Sequence, residues 1–197
     1  MCVCARVWLQ HDFIEDFLLL FYTTSAHAYT RGQWVAPESA SVDRTVAGVD
    51  FATPSGLSQP LFLRWLLLFD DPATETLWLG KATPHEWLEP GERIVVTNAP
   101  SRFGNLSFTF VSSNTSVRVD LTFGVRLRGA WPTGGVKVRV RSRLAWPAAG
   151  GVTVGGKPWP NELVNVTEQT VHFAEPPPAN AAHDIVVSLP PHRSPNK

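Results

Sequence analysis

Residues 92–123 read ERIVVTNAPSRFGNLSFTFVSSNTSVRVDLTF, and three short runs within them alternate apolar with polar side chains. Successive residues of a strand face opposite sides of a sheet, so each run sorts itself into a core side and a solvent side. In the first run Ile94 and Val96 face one way, and Val95 and Thr97 the other. In the second, Leu106, Phe108 and Phe110 share a face opposed by Ser107, Thr109 and Val111. In the third, Val117, Val119, Leu121 and Phe123 alternate with Arg118, Asp120 and Thr122, a half-buried pattern with its charges outward. Asn98-Ala99-Pro100 and Ser112-Ser113-Asn114 separate the runs with turn-forming residues. The stretch predicts an antiparallel meander whose core includes Phe108, Phe110, Val119 and Leu121.

A chain of 197 residues with 44% apolar content buries one sizeable core and an appendage rather than two full domains. Lys+Arg and Asp+Glu number 17 each, so no net field draws nucleic acid or an anionic membrane. Nucleic acid is not an expected partner. The 17 prolines and 14 glycines fit many turns between short strands.

Downstream of the meander, Val136, Val138 and Val140 alternate with Lys137, Arg139 and Arg141, which predicts a strand with a solvated, edge-protecting basic face. Val152 and Val154 run into Gly155-Gly156, a two-residue hairpin signal. Val164, Val166, Val171 and Phe173 predict a further strand pair, and Ile185, Val187 and Leu189 a last strand. Upstream, PLFLRWLLLFDD at 60–71 is almost wholly apolar and reads as a strand. Asp70-Asp71-Pro72-Ala73 turns it toward an antiparallel partner at Thr76–Leu79. PHEWLEPGE at 84–92 predicts about one helical turn stopped by Gly91.

The N-terminal part has a different period. Phe13, Phe17, Leu20 and Phe21, widened by Ile14 and Leu18, recur at helical spacing with Glu15 and Asp16 opposite, predicting an amphipathic helix over 11–23. A signal peptide ending at Ala26-His27-Ala28 is the rival reading, opposed by the acids at 12, 15 and 16. The apolar run is too short to span a bilayer. Such a stripe must pack on something. Residues 40–58 are small, polar and irregular, and read as a linker. Cys2 and Cys4 form neither a disulfide framework nor a zinc site, and read as thiols in a frayed terminus.

The loop AHAYTRGQWVAPES at 26–39 is dense in groups that grip a polar ligand. Tyr29, Arg31, Trp34 and Glu38, with His27 and Gln33 nearby, offer aromatic faces and hydrogen-bonding groups suited to a sugar. The competing reading has Tyr29 and Trp34 plugging a helix–sheet interface and Arg31 paired with Glu38. No GxSxG, HExxH, P-loop or dinucleotide fingerprint occurs, and the six histidines are scattered without ligand spacing. No metal or other cofactor is predicted. Asn105-Leu-Ser, Asn114-Thr-Ser and Asn165-Val-Thr are glycosylation sequons where about one would arise by chance.

The run LWLGKATPHEWLEPGERIVVTNAPSRFGNLSFTF, with the later VTVGGKPWP, resembles the C-terminal β-sandwich of bacterial-type six-hairpin glycosidases. AHAYTRGQWVAPES and TPSGLSQPLFLRWLLLFDD resemble the end of the α/α toroid that precedes it there. The resemblance covers nearly all of residues 11–189. It implies an antiparallel β-sandwich preceded by one amphipathic helix and a long loop: a toroid remnant at 1–38, a linker at 39–59, the sandwich at 60–189 and a disordered tail at 190–197. It also implies an accessory module of a carbohydrate-active protein. The bulk of the toroid, which carries such families' acid and base, has no counterpart here, so the expected chain is inert alone. Its expected partners are a carbohydrate and the missing toroid, or a second copy through the Phe-rich helix. The alternative is a freestanding immunoglobulin-like binding or adhesion sandwich, with no link to hydrolysis.

Overall fold

The N-terminal stripe of Phe and Leu finds its partners inside the chain. In the computed structural model, which describes residues 2–28, 36–40, 43, 45–47, 52–147, 151–178 and 183–190, the first of two compact units spans residues 1–67. It holds α1 (Cys2–Gln10), α2 (Ile14–Ala28), the short paired strands β1 (Ser39–Ala40) and β2 (Val46–Ala47), and α3 (Thr53–Leu67). The predicted helix is therefore present, beginning at Ile14 and running to Ala28. The terminus expected to fray is instead helix α1, on which Cys4 is an exposed thiol.

Between α1 and α2 the amide of Phe13 donates to the Trp8 carbonyl at 2.8 Å and that of Asp12 to Leu9 at 3.3 Å. With Asp12 left-handed at φ 62°, this is a Schellman stop, with a short polar residue where glycine is commoner. It turns α2 back so that Phe17, Leu18 and Phe21 are buried together with Ala5, Leu9, Phe62 and Leu66. The rings of Phe17 and Phe62 meet edge-on at 6.0 Å and 71°, a favourable aromatic geometry. Gln59, 2% exposed, donates to the Phe21 carbonyl at 3.1 Å and to the Ser25 hydroxyl. The stripe expected to lack partners is thus covered by α1 and α3; of its members only Phe13, which precedes the helix, and the half-buried Leu20 escape full burial.

Residues 60–67 are helical, correcting the expected strand. Pro54 lies in the first turn, where a missing N–H is harmless, and Gly56 N–H closes that turn on the Ala52 carbonyl at 2.9 Å. Phe62 and Leu66 then recur at i, i+4 on the buried side, while Leu57 remains 61% exposed. An unbroken apolar run does not distinguish helix from strand; burial against Phe17 does.

The second unit, residues 68–197, is an antiparallel-rich β-sandwich, as the alternation predicted. It contains β3 (Leu68–Asp71), β4 (Thr76–Leu79), a 3-10 turn (His85–Leu88), β5 (Arg93–Pro100), β6 (Asn105–Ser112), β7 (Ser116–Phe123), the short α4 (Val125–Gly129), β8 (Val136–Arg139), β9 (Val152–Val154), β10 (Lys157–Pro158), β11 (Val164–Asn165), β12 (Thr170–Phe173) and β13 (Asp184–Ser188). One sheet runs β10-β9-β13-β7-β6-β5 and the other β11-β12-β8-β4-β3. Among the described residues all strand pairs of the two sheets are antiparallel except β4 with β8. The meander β5-β6-β7 sits where the sequence placed it, with Phe108 opposite Leu121 and Phe110 opposite Val119. Those four are 6% exposed or less. Gly155 and Gly156 both take positive φ, 57° and 73°, as a type I′ hairpin between β9 and β10 requires.

The basic strand is the main correction within the sandwich. β8 is the middle strand of its sheet, and Arg139 and Arg141 are each only 7% exposed. Neither solvates an edge.

Candidate functional site

Of the four residues chosen as sugar contacts, Tyr29, Arg31 and Trp34 lie outside the described residues. Glu38 is exposed at a bend just before β1. The described structure therefore brings no two of them together. Of the disordered tail expected at 190–197, residues 191–197 also lie outside the described part.

The sandwich has two clusters that sequence reading missed. In the first, register puts Phe69 opposite Trp78, Trp78 opposite Lys137 and Lys137 opposite His172, forming one row across four strands. Trp78 is 8% exposed, and the ammonium of Lys81 stands 3.7 Å from its ring centroid. Lys137 follows at 4.9 Å and the Arg139 guanidinium at 5.9 Å. The ring's negative face attracts these cations. The arginines also hold backbone: Arg139 donates to the carbonyls of Glu168 at 2.9 Å and Lys81 at 3.5 Å, and Arg141 to that of Thr83 at 2.9 Å. His85 Nδ1 closes the loop on the Arg141 carbonyl at 2.8 Å. This row fixes segment 80–85 to the sheet. With cations already over it, the Trp78 ring offers no open face to a sugar.

The second cluster closes one end of the core. Phe123 packs edge-on against Trp131 at 5.2 Å and near Phe173 at 6.3 Å, and Trp159 lies 5.0 Å from Phe173. The Trp131 indole N–H donates to the Phe173 carbonyl at 3.2 Å and that of Trp159 to the His172 carbonyl at 3.3 Å. Both indoles are half-buried and anchored by their nitrogens. Part of each ring's surface therefore remains in solvent. Each Trp is followed by a proline in the sequence, Trp131-Pro132 and Trp159-Pro160, a signal that two stiff turns present aromatic rings.

Asp70, Asp71, Glu86 and Glu89 have structural partners. Asp71 accepts from the Ala73 amide at 3.0 Å and the Thr74 hydroxyl at 2.9 Å, forming the β3-β4 turn. Asp70 accepts the Arg102 amide at 3.0 Å. Arg143 pairs with Glu86 and, at 3.0 Å, with Glu89. A backbone hydrogen bond, seconded by Arg143, holds the Glu86 carboxyl below its usual range, which is opposite to what a general acid needs. Among the described residues no three His, Cys, Asp or Glu side chains converge to hold a metal ion, and no helix is long and apolar enough to cross a membrane.

The motifs behind the glycosidase resemblance serve the turns. In NAPSRFG, Asn98 takes φ 49° at the bulge between Val96 and Ala99, and the Ser101 hydroxyl bonds Gly104. In VTVGGKPWP, the hairpin glycines deliver Trp159 onto Phe173. Comparison with protein-family models, curated proteins and solved structures returns no match.

Proposed function

We propose that this chain acts as an accessory, non-catalytic β-sandwich module of a six-hairpin-glycosidase-like protein of carbohydrate metabolism. One observation carries the reading: a helical unit built around Phe17 and Phe62 is followed directly by an antiparallel sandwich, the order that the sequence resemblance implies. Tyr29, Arg31, Trp34 and Glu38 are its sugar contacts, with stacking on Tyr29 and Trp34 and hydrogen bonds from the other two. Hydrolysis needs two carboxylates flanking the bond; Asp70, Asp71, Glu86 and Glu89 hold turns or ion pairs, which leaves Glu38 as a single loop carboxylate. The test is activity of the purified chain on a panel of aryl glycosides, beside Glu38→Gln, with sugar binding followed by NMR. No turnover and binding of about millimolar strength that Trp34→Ala abolishes are expected. Turnover that vanishes in Glu38→Gln overturns the reading.

A specific observation favours the second reading, a freestanding immunoglobulin-like binding or adhesion sandwich. Phe17 and Phe21 are 0% and 8% exposed, so the helical unit requires no missing toroid to cover its stripe. Protein-partner binding without sugar binding selects that alternative.

A further inference from the structure

The three sequons occupy different structural settings, and the difference lies at the atom a glycan would take. Asn114 sits at the tip of the β6-β7 hairpin, exposed together with Ser113 and Thr115. The tip is fixed from below. The Ser113 amide donates to the Ser116 carbonyl at 2.8 Å, the Ser113 hydroxyl accepts the Ser116 amide at 3.0 Å, and the Leu189 amide donates to the Thr115 carbonyl at 2.7 Å. These bonds hold the backbone, and among the described residues none involves the Asn114 carboxamide. Asn165 is exposed on the short edge strand β11, and its Oδ1 accepts the Glu168 amide at 2.9 Å. Its Nδ2 is not used in that bond. Asn105 is also exposed but differs in that its Nδ2 donates to the exposed Asn98 Oδ1 at 3.0 Å, tying β6 to the bulged end of β5.

We propose that Asn114 is the principal N-glycan acceptor of this chain, with Asn165 secondary and Asn105 bare. The donor is a lipid diphosphate-linked oligosaccharide, used by a lumenal transferase. Asn114 Nδ2 forms the bond to the anomeric carbon of the first sugar as the bond from that carbon to the diphosphate oxygen breaks. The lipid diphosphate leaves with the electron pair, and the amide proton passes to a base on the transferase. Nothing is oxidised or reduced. At Asn114 the product keeps every bond that shapes the hairpin and projects the glycan into solvent. At Asn105 it leaves a single N–H on Nδ2 to serve the Asn98 bond and sets a bulky group beside a paired strand, so chains modified there fold less well and are not secreted.

The test leads the full chain into the secretory pathway of a eukaryotic host with an appended cleavable leader. Secreted protein is deglycosylated by peptide N-glycosidase in heavy-oxygen water, and each sequon's occupancy is read by peptide mass. The Asn114 peptide is expected to carry the label in most molecules and the Asn105 peptide in only a small minority. Asn114→Gln should abolish the main mobility shift and leave the melting temperature unchanged. Asn105→Gln should leave the glycan in place and lower melting by a few degrees, about 2–4 °C. Secreted chain bare at Asn114, or labelled at Asn105 as heavily as at Asn114, overturns the proposal.

Discussion

The ammonium of Lys81 stands 3.7 Å from the ring centroid of Trp78 although Lys81 is 2% exposed and Trp78 8%. A cation withdrawn from water needs a compensating partner, and the indole face supplies part of it. A double-mutant cycle of Lys81→Met with Trp78→Leu should give a coupling of about 1–2 kcal/mol in urea unfolding. Strictly additive effects would show that the two merely share space.

Gly80 follows β4 with φ 68°, and a Cβ there would lie 2.6 Å from the Arg139 carbonyl oxygen. Gly80→Ala therefore combines left-handed strain with a backbone clash, and should cost about 3 kcal/mol or more. Gly91 has φ 95° but nothing within 4 Å of its Cβ position, so Gly91→Ala should cost about 1 kcal/mol. Thermal melts of the two variants check this ordering. Equal losses would deny the close approach at Gly80.

His172 faces Lys137 and takes a hydrogen-bond contact of 3.2 Å from Nε2 to the Gly134 carbonyl. Burial lowers its pKa from the usual 6.5, the Gly134 bond opposes that, and Lys137 adds to the lowering. The unfolded chain therefore binds the proton at higher pH than the folded one, so stability rises with pH. Its contribution is complete above about 6.5 and is lost as pH falls through that value toward the lower folded pKa. Urea midpoints between about pH 7.5 and 5 should fall for the wild type and fall less for His172→Gln. Parallel curves would assign the pH dependence to other groups.

Phe62→Ala should empty a site beside Phe17 and cost the helical unit about 3–5 kcal/mol. Leu57→Ala, on the same helix but 61% exposed, should change stability by less than about 0.5 kcal/mol. Urea titration followed at 222 nm separates them. A small loss for Phe62→Ala would mean that α2 and α3 do not share a core.

The sandwich was legible because its signals are local. Period-2 alternation at 94–123 sorts the faces of β5, β6 and β7, and Gly155-Gly156 meets a turn that needs two positive φ angles. The amphipathic helix was legible for the same reason, at period 3.6. Tertiary structure decided three other things. It made 60–67 helical, because an all-apolar run fits either state until Phe62 meets Phe17. It buried Arg139 and Arg141, because alternation names the face a side chain takes but not whether that face is covered. It also joined Trp131, Trp159 and Phe173, which are remote in sequence and become neighbours only when the two sheets close one core.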